Sequence, residues 1–375
     1  MRVLHINGNY IYSSVHRAMI QHMDGAGIED HVFVPVYEGT NEQRDLGRNV
    51  CVRECFRKWD RLWFGYKQNK ILRAARDAIA DHPPFDLIHA YTLFTDGNCA
   101  MRLSRQMKVP YVVAVRNTDV SVFFKYMVHL RGKGIEIMEG ASAVFFLSSA
   151  YRDHVISKYV PQGKREAILA KTLLIPNGID DFWFENQFDR SAAADSRRIE
   201  GEKRVDVLYV GEINENKNLL LTARAIQQLN EKGWQIRYRA VGKVSDAGIL
   251  EKLQQYDFFY HVPPKPKEEL LVEYRKANMF VMPSHTETFG LTYAEAMTQG
   301  LPVIYTRGQG FDGQFPEGMV GFSVDSHDAE ELAENIVKVC ERYAELSKNC
   351  IEKVQKFRWS KIIESYRQIY SQILK

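Results

Sequence analysis

Cysteine is scarce and unpaired in this chain: five residues in 375, an odd set (Cys51, Cys55, Cys99, Cys340, Cys350) without C-x-x-C spacing. A disulfide framework and a structural zinc site are therefore excluded, and a cytoplasmic location is expected. An excess of either charge is also lacking. Fifty Lys and Arg against 47 Asp and Glu leave a formal +3, too balanced for a dedicated nucleic-acid binder. No apolar run approaches the ~18 residues that span a bilayer, and MRVLHINGNYIY at the N-terminus has no signal-peptide core or cleavage site. The chain is further read as having neither a P-loop lysine motif, nor a G-x-S-x-G elbow, nor a G-x-G-x-x-G fingerprint. ATP hydrolysis, Ser-His-Asp hydrolysis and NAD chemistry accordingly lose support.

What is present is alternation. Short apolar runs (Val3–Asn7, His31–Val36, Leu87–Ala90, Tyr111–Val115, Ala143–Leu147, Leu173–Ile175) are separated by helical patterns such as Asn69–Ala80 and Asn98–Met107. Continuous apolar runs fit strands buried on both faces of a parallel sheet, and the order implies βαβ units. A polar stretch over 186–204, NQFDRSAAADSRRIEGEKR, reads as a linker. The pattern restarts with Val205–Val210, Gln235–Val241, Asp257–His261, Met279–Met282 and Pro302–Thr306. An α/β fold of two Rossmann-like domains facing one another across a cleft follows, with domains at 1–185 and 205–358. In the closing segment, Phe357, Ile362, Ile363, Tyr366, Ile369, Tyr370 and Ile373 form one stripe. Residues 359–375 are therefore expected to be a bracing helix, packed on the second domain and able to cross back to the first.

The stretch PSHTETFGLTYAEAMTQGLPV (283–303) carries the chemistry. A strand ends at Pro283, a polar loop follows, and Phe289-Gly290-Leu291 opens a helix. The first-turn amides of such a helix are unpaired donors at the positive end of its dipole, a ready anion site. Gly290 lets a phosphate approach the backbone. Upstream, Gly211 follows the strand Val205–Val210 and Lys217 sits near the next helix start. Ligands of open α/β sheets bind at the carboxyl ends of strands, so Lys217 and the Gly290 helix start are expected to converge on a diphosphate.

This block resembles the signature of the family 4 retaining glycosyltransferases, which have the GT-B fold. The Glu-x7-Glu pattern (Glu287, Glu295), the intervening Phe-Gly-Leu and the trailing Gly-x-Pro (Gly300, Pro302) match. So do IPNGID (175–180), EYRKANMFVMPS (273–284) and FRWSKIIESYRQIY. The resemblance implies transfer of a sugar from a nucleotide diphosphate-sugar, most simply a UDP-sugar, to a hydroxyl of a glycan or lipid-linked saccharide, of the bacterial polysaccharide and capsule type. It implies that Glu287 and Lys217 are catalytic, Glu287 holding the donor sugar's hydroxyls. Donor contacts would come from Gly211, Asn216, Lys217, Thr288, Phe289, Gly290, Leu291 and Glu295, the last on the ribose. No Asp-x-Asp metal handle occurs, so no metal or other cofactor is expected. The same residues leave open a nucleotide-sugar 2-epimerase of this fold and a non-catalytic nucleotide-sugar-binding scaffold subunit.

Three departures from the family pattern stand out. Glu212 follows Gly211 where many members carry Arg, and is expected to point away or pair with a base. NGNYIYSS (7–14) replaces the glycine-rich first loop, which puts acceptor contacts on Asn9, Tyr10 or Ser13. Arg116 replaces a family His, with Asn117 and Asp119 beside it, as a cation for a diphosphate or acidic sugar or as a salt bridge to Asp119. His89 is read as core or as part of the acceptor pocket.

Residues 53–76, RECFRKWDRLWFGYKQNKILRAAR, hold eight bases and two acids. Phe56, Trp59, Trp63 and Tyr66, at spacings of three and four, would share one helical face. A basic amphipathic helix of this kind suits either peripheral contact with an anionic membrane or packing in the core.

Overall fold

The computed structural model describes residues 1–40, 46–47, 49–189 and 203–375. Most of the linker, 190–202, lies outside the described residues. Two units are present: 1–147, 152–178 and 359–375 form the first, and 148–151 with 179–358 form the second.

The first unit holds a seven-stranded sheet of β1 (Arg2–Ile6), β2 (Glu29–Tyr37), β3 (Val50–Phe56), β4 (Leu87–Ala90), β5 (Tyr111–Ala114), β6 (Ala143–Phe146) and β7 (Thr172–Leu174). Their order is β3-β2-β1-β4-β5-β6-β7, parallel throughout. The second unit holds β8 (Arg204–Val210), β9 (Gln235–Val241), β10 (Phe259–Val262), β11 (Met279–Met282), β12 (Val303–Thr306) and β13 (Gly321–Val324), in the order β10-β9-β8-β11-β12-β13. The central strands β4, β5, β6, β11 and β12 are buried along their whole length, as helices on both faces require. Each sheet reverses its strand order once, between β1 and β4 and between β8 and β11, and such a reversal opens a crevice above the strand ends.

Two strands escape the sequence reading. β3 is an edge strand carrying the exposed residues Arg53 and Glu54, so it has no continuous apolar run. β13 is four residues beginning at Gly321. The basic stretch 53–76 is likewise not one helix. It finishes β3, turns through a 3-10 segment (Lys58–Leu62) and enters a helix only at Phe64 (Phe64–Ile79). Phe56 is buried at the end of the strand, whereas Trp59 and Trp63 are 75% and 63% exposed, so these aromatics share no helical face.

Gly308, Gly310 and Gly313 do have the spacing G-x-G-x-x-G, which corrects the sequence reading. The segment runs from β12 through turns to β13 without opening a helix, so the spacing lacks the strand–turn–helix context of a dinucleotide site.

The C-terminal helix (Trp359–Ile373) belongs to the first unit. It buries Trp359, Ile362, Ile363, Tyr366 and Tyr370 in the same cluster as Val3, Met19 and Phe145, while Phe357 falls in the preceding 3-10 turn. Tyr370 is hydrogen-bonded to His89 Nδ1 at 2.6 Å, so His89 is core and anchors this helix. The Trp359 ring lies where a Cβ on Gly178 would come within 2.4 Å, and that contact ties IPNGID to FRWSK.

Candidate active site

In the second unit, the loops that leave β8 and β11 are laced together at the strand reversal. Asn216 Nδ2 donates to the Thr286 carbonyl at 2.9 Å, Asn216 Oδ1 accepts from Thr286 N–H at 3.0 Å, and its carbonyl accepts from His285 N–H at 2.8 Å. Asn218 adopts a left-handed backbone, φ 56°, which asparagine tolerates better than most residues. Its side chain donates to the Pro283 and Ser326 carbonyls at 3.0 and 2.7 Å. Asn218 was not among the sequence candidates, although an Asn closing the turn before a helix is a usable signal.

This lacing brings Lys217 to Glu287. Lys217 Nζ donates to Glu287 Oε2 at 2.6 Å, and Oε1 of the same carboxylate accepts from Thr288 N–H at 3.1 Å. Glu287 is also held from behind. Its N–H donates to Gln309 Oε1 at 3.0 Å and its carbonyl accepts from Gly310 N–H at 2.9 Å. A Cβ on Gly310 would fall 1.7 Å from the Thr288 carbonyl oxygen. The 307–313 loop therefore buttresses the catalytic candidate.

Gly290 caps the helix Leu291–Thr298 at φ 75° and ψ 73°. Only glycine takes this conformation readily, and a Cβ would meet the Tyr293 ring at 2.5 Å. Phe289 is buried. The first-turn amides at Leu291 and Thr292 lie beyond the reach of any carbonyl of their own helix. Four residues on, burial pushes the Glu295 carboxyl up to about 7 even though it accepts from Tyr274 Oη at 3.1 Å. Gly211 N–H is engaged with the Val241 carbonyl at 3.0 Å. Glu212 meets no base among the described residues. Its carboxylate accepts from the Ser245 hydroxyl and, at 3.2 Å, from Asn214 Nδ2, so two neutral donors fix it.

In the first unit, a cavity of about 360 Å³ lies over the β1/β4 reversal, lined among others by Gly8, Asn9, Tyr12, Lys67, Asp96 and Asp119. Tyr10 is buried and, like Arg116 and Asn117, is outside this lining, where Tyr12 and Thr118 stand instead. Ser13 caps the following helix by accepting from His16 N–H at 3.2 Å. Asp119 is a clamp. It accepts backbone N–H bonds from Leu93, Phe94 and Arg116 at 3.0, 3.1 and 2.8 Å, yet burial still lifts it to about 6. The Arg116 guanidinium donates to Asn177 Oδ1 at 3.4 Å while its backbone N–H donates to Asp119, so of the two readings offered for Arg116 the side-chain salt bridge is not the one formed. Burial, with Arg116 nearby, pushes His16 down to about 3.

Trp59, Leu62, Trp63 and Tyr66 are exposed beside a second exposed set, Val122, Tyr126 and Val128. Phe64 meets Phe123 edge to face at 6.0 Å, and a groove runs from 62–66 to His129 and Leu130. No helix among the described residues is long and apolar enough to cross a membrane.

Residues 192–357 match the family described as glycosyl transferases group 1, and residues 13–169 match the glycosyl transferase 4-like domain. A D-inositol 3-phosphate glycosyltransferase of Paenarthrobacter aurescens is 25% identical over 317 residues, 78% of this chain and 75% of that protein. The sucrose-phosphate synthase of Thermosynechococcus elongatus superposes with a TM-score of 0.74 at 22% identity, covering 99% and 98% of the two chains. Anabaena HepE in complex with UDP gives 0.71 at 15% identity, covering 99% and 100%. These superpositions identify the two parallel-sheet Rossmann-like domains as the GT-B fold.

Proposed function

Because this chain belongs to the group 1 glycosyltransferases, enzymes that use nucleotide-sugar donors, we propose that it transfers a sugar from a UDP-sugar with retention of anomeric configuration. The acceptor is a hydroxyl of a glycan or lipid-linked saccharide in surface polysaccharide synthesis. The second unit binds donor and the first binds acceptor.

The observation that carries this reading is the Lys217–Glu287 pair beside the Gly290 helix start. Breaking the bond between the sugar and the diphosphate puts negative charge on the leaving group and oxocarbenium character on the sugar. Lys217 and the amides at Leu291 and Thr292 meet the first without a divalent cation, and Glu287 holds the sugar's hydroxyls. Preorganised donors of this kind each account for about 10²–10³ in rate elsewhere. Glu295 accepts the ribose hydroxyls. HepE in its UDP complex favours uridine for the nucleotide.

The test is turnover of a UDP-sugar panel with and without acceptor, in EDTA and then with magnesium or manganese restored. Acceptor-dependent, chelator-insensitive release of UDP with an unchanged anomer is expected. Product formed from donor alone would favour a 2-epimerase, and a requirement for added cation would remove the metal-free mechanism.

The exposed aromatics at Trp59, Trp63 and Tyr126, with Lys58, Arg61 and Lys125 among them, support a peripheral contact with an anionic bilayer and hence a lipid-linked acceptor.

A further inference from the structure

The cavity of the first unit pairs a half-satisfied buried acid with two cations that have no ion-pair partner among the described residues. Asp96 is 1% exposed. Its Oδ1 accepts from Gly8 N–H at 3.2 Å, whereas the buried Oδ2 makes no hydrogen bond of ordinary geometry and has only the neighbouring Thr92 hydroxyl to lean on. A buried carboxyl oxygen without a donor is costly, and a ligand hydroxyl is the donor a cavity can admit. The other acid in the lining, Asp119, is spent on three backbone amides.

Lys67 also lines the cavity. Its Nζ stands 4.5 Å from the centre of the Phe56 ring, and no carboxylate among the described residues lies within ion-pair reach of it. Burial lowers its pKa, so its charge is only partly compensated. Arg61 faces the Tyr37 ring at 5.9 Å on the same wall. Thr92, Thr95 and Thr118 add hydroxyls to the lining. Aromatic faces in such a site suit the C–H surface of a sugar ring, and the volume suits one ring with a substituent.

Resting on the acceptor-side reading above, we propose that this cavity seats the accepting residue of that saccharide, and that this residue is a single polyol ring bearing an anionic group. Lys67 and Arg61 hold the anion, and Asp96 Oδ2 takes a ring hydroxyl. Asp96 thereby becomes a specificity-determining residue. The signal for it in the sequence is a lone acid in the otherwise neutral run 91–101 after β4.

Equilibrium binding to the full chain with saturating UDP present, so that the donor phosphate site is filled, tests this. The probes are hexose monophosphates, inositol monophosphate and hexuronic acids, each beside its neutral parent, with inorganic phosphate alone as reference. At least one acid is expected to bind tenfold or more tightly than its parent and than phosphate. Lys67→Met should abolish that preference while leaving the parent's affinity in place, and Lys67→Arg should restore it. Asp96→Asn should weaken acid and parent alike by about tenfold. No acid preferred over its parent, or a preference that survives Lys67→Met in a variant with wild-type thermal stability, overturns the proposal. UDP affinity, read in separate titrations without the acid probes, is expected to be unchanged in all three variants. Failure of UDP to bind the wild type would fall on the donor reading alone, and the panel repeated without UDP would still decide the cavity.

Discussion

Lys217 Nζ and Glu287 Oε2 lie 2.6 Å apart across 70 residues of sequence, each side chain about a fifth exposed or less. The pair means that the cation assigned to the diphosphate is neutralised until a donor arrives. Removing either partner therefore has unequal consequences. Lys217→Ala is expected to weaken UDP binding by 10- to 100-fold, about 1.4–2.8 kcal/mol. Glu287→Gln releases the lysine, so UDP should bind as tightly as in the wild type or more so, while turnover falls by about 10²-fold or more. Calorimetric titration with UDP beside a transfer assay separates the two. Equal loss of UDP affinity in both variants would show that Glu287 serves only to place Lys217.

The buttress behind Glu287 can be probed with two glycines of one loop. Gly310→Ala drives a methyl into the Thr288 carbonyl and should cost about 1–3 kcal/mol of stability together with most of the turnover. Gly308 has φ 76° with open space around it, so Gly308→Ala should cost about 1 kcal/mol from backbone strain and leave activity near wild type. Denaturant midpoints and turnover numbers on both variants check the contrast.

His89 Nδ1 is bonded to Tyr370, and its Nε2 is buried without a partner. Tyr370→Phe leaves the ring with no hydrogen bond at all, at a cost of about 1–3 kcal/mol. Trp359→Ala should cost about 3–5 kcal/mol from the cavity it opens. Urea unfolding followed at both substitutions measures this. A loss below about 0.5 kcal/mol for Trp359→Ala would mean that the C-terminal helix contributes little to the first unit.

Two groups, Asp96 buried and His16 partly buried, give stability opposing pH slopes. Asp96 has its folded pKa raised from an ordinary 3.8 to about 7 by burial, so the folded state holds its proton more tightly and this group's contribution falls as pH rises from about 4 to 7. His16 is lowered from 6.5 to about 3, so its contribution rises over about pH 3 to 6.5. Asp96→Asn removes the first slope. The variant should gain on the wild type as pH increases, by at most about 4 kcal/mol above pH 7, and its own stability should climb more steeply between pH 4 and 6.5. Chemical unfolding at pH 4.5, 6 and 8 reads both effects.

Binding to vesicles of anionic phospholipid should fall at least tenfold in a Trp59→Ala/Trp63→Ala double variant, with UDP affinity unchanged, and should weaken with added salt. Sedimentation with vesicles at two ionic strengths tests the membrane contact. Equal binding by wild type and variant would leave the exposed aromatics without that role.

Two parallel sheets, most strands to within a residue or two, and the two glutamates with their glycine-opened helix were legible in the chain itself. Strands buried on both faces must be written as continuous apolar runs, and a helix that opens at a positive φ against a tyrosine ring needs glycine there. Tertiary structure alone decided the rest. β3 hides its register among charged residues at a sheet edge, where half its surface needs no apolar partner. Asp96, Lys67 and Gln309 acquire meaning only from what stands opposite them, because a carboxyl or ammonium owes its chemistry to the presence or absence of partners that arrive from distant segments. Glu212 and Arg116 make the same point: Ser245 and Asn177, distant in the chain, complete the bonding of each, and local charge alone would have assigned both differently.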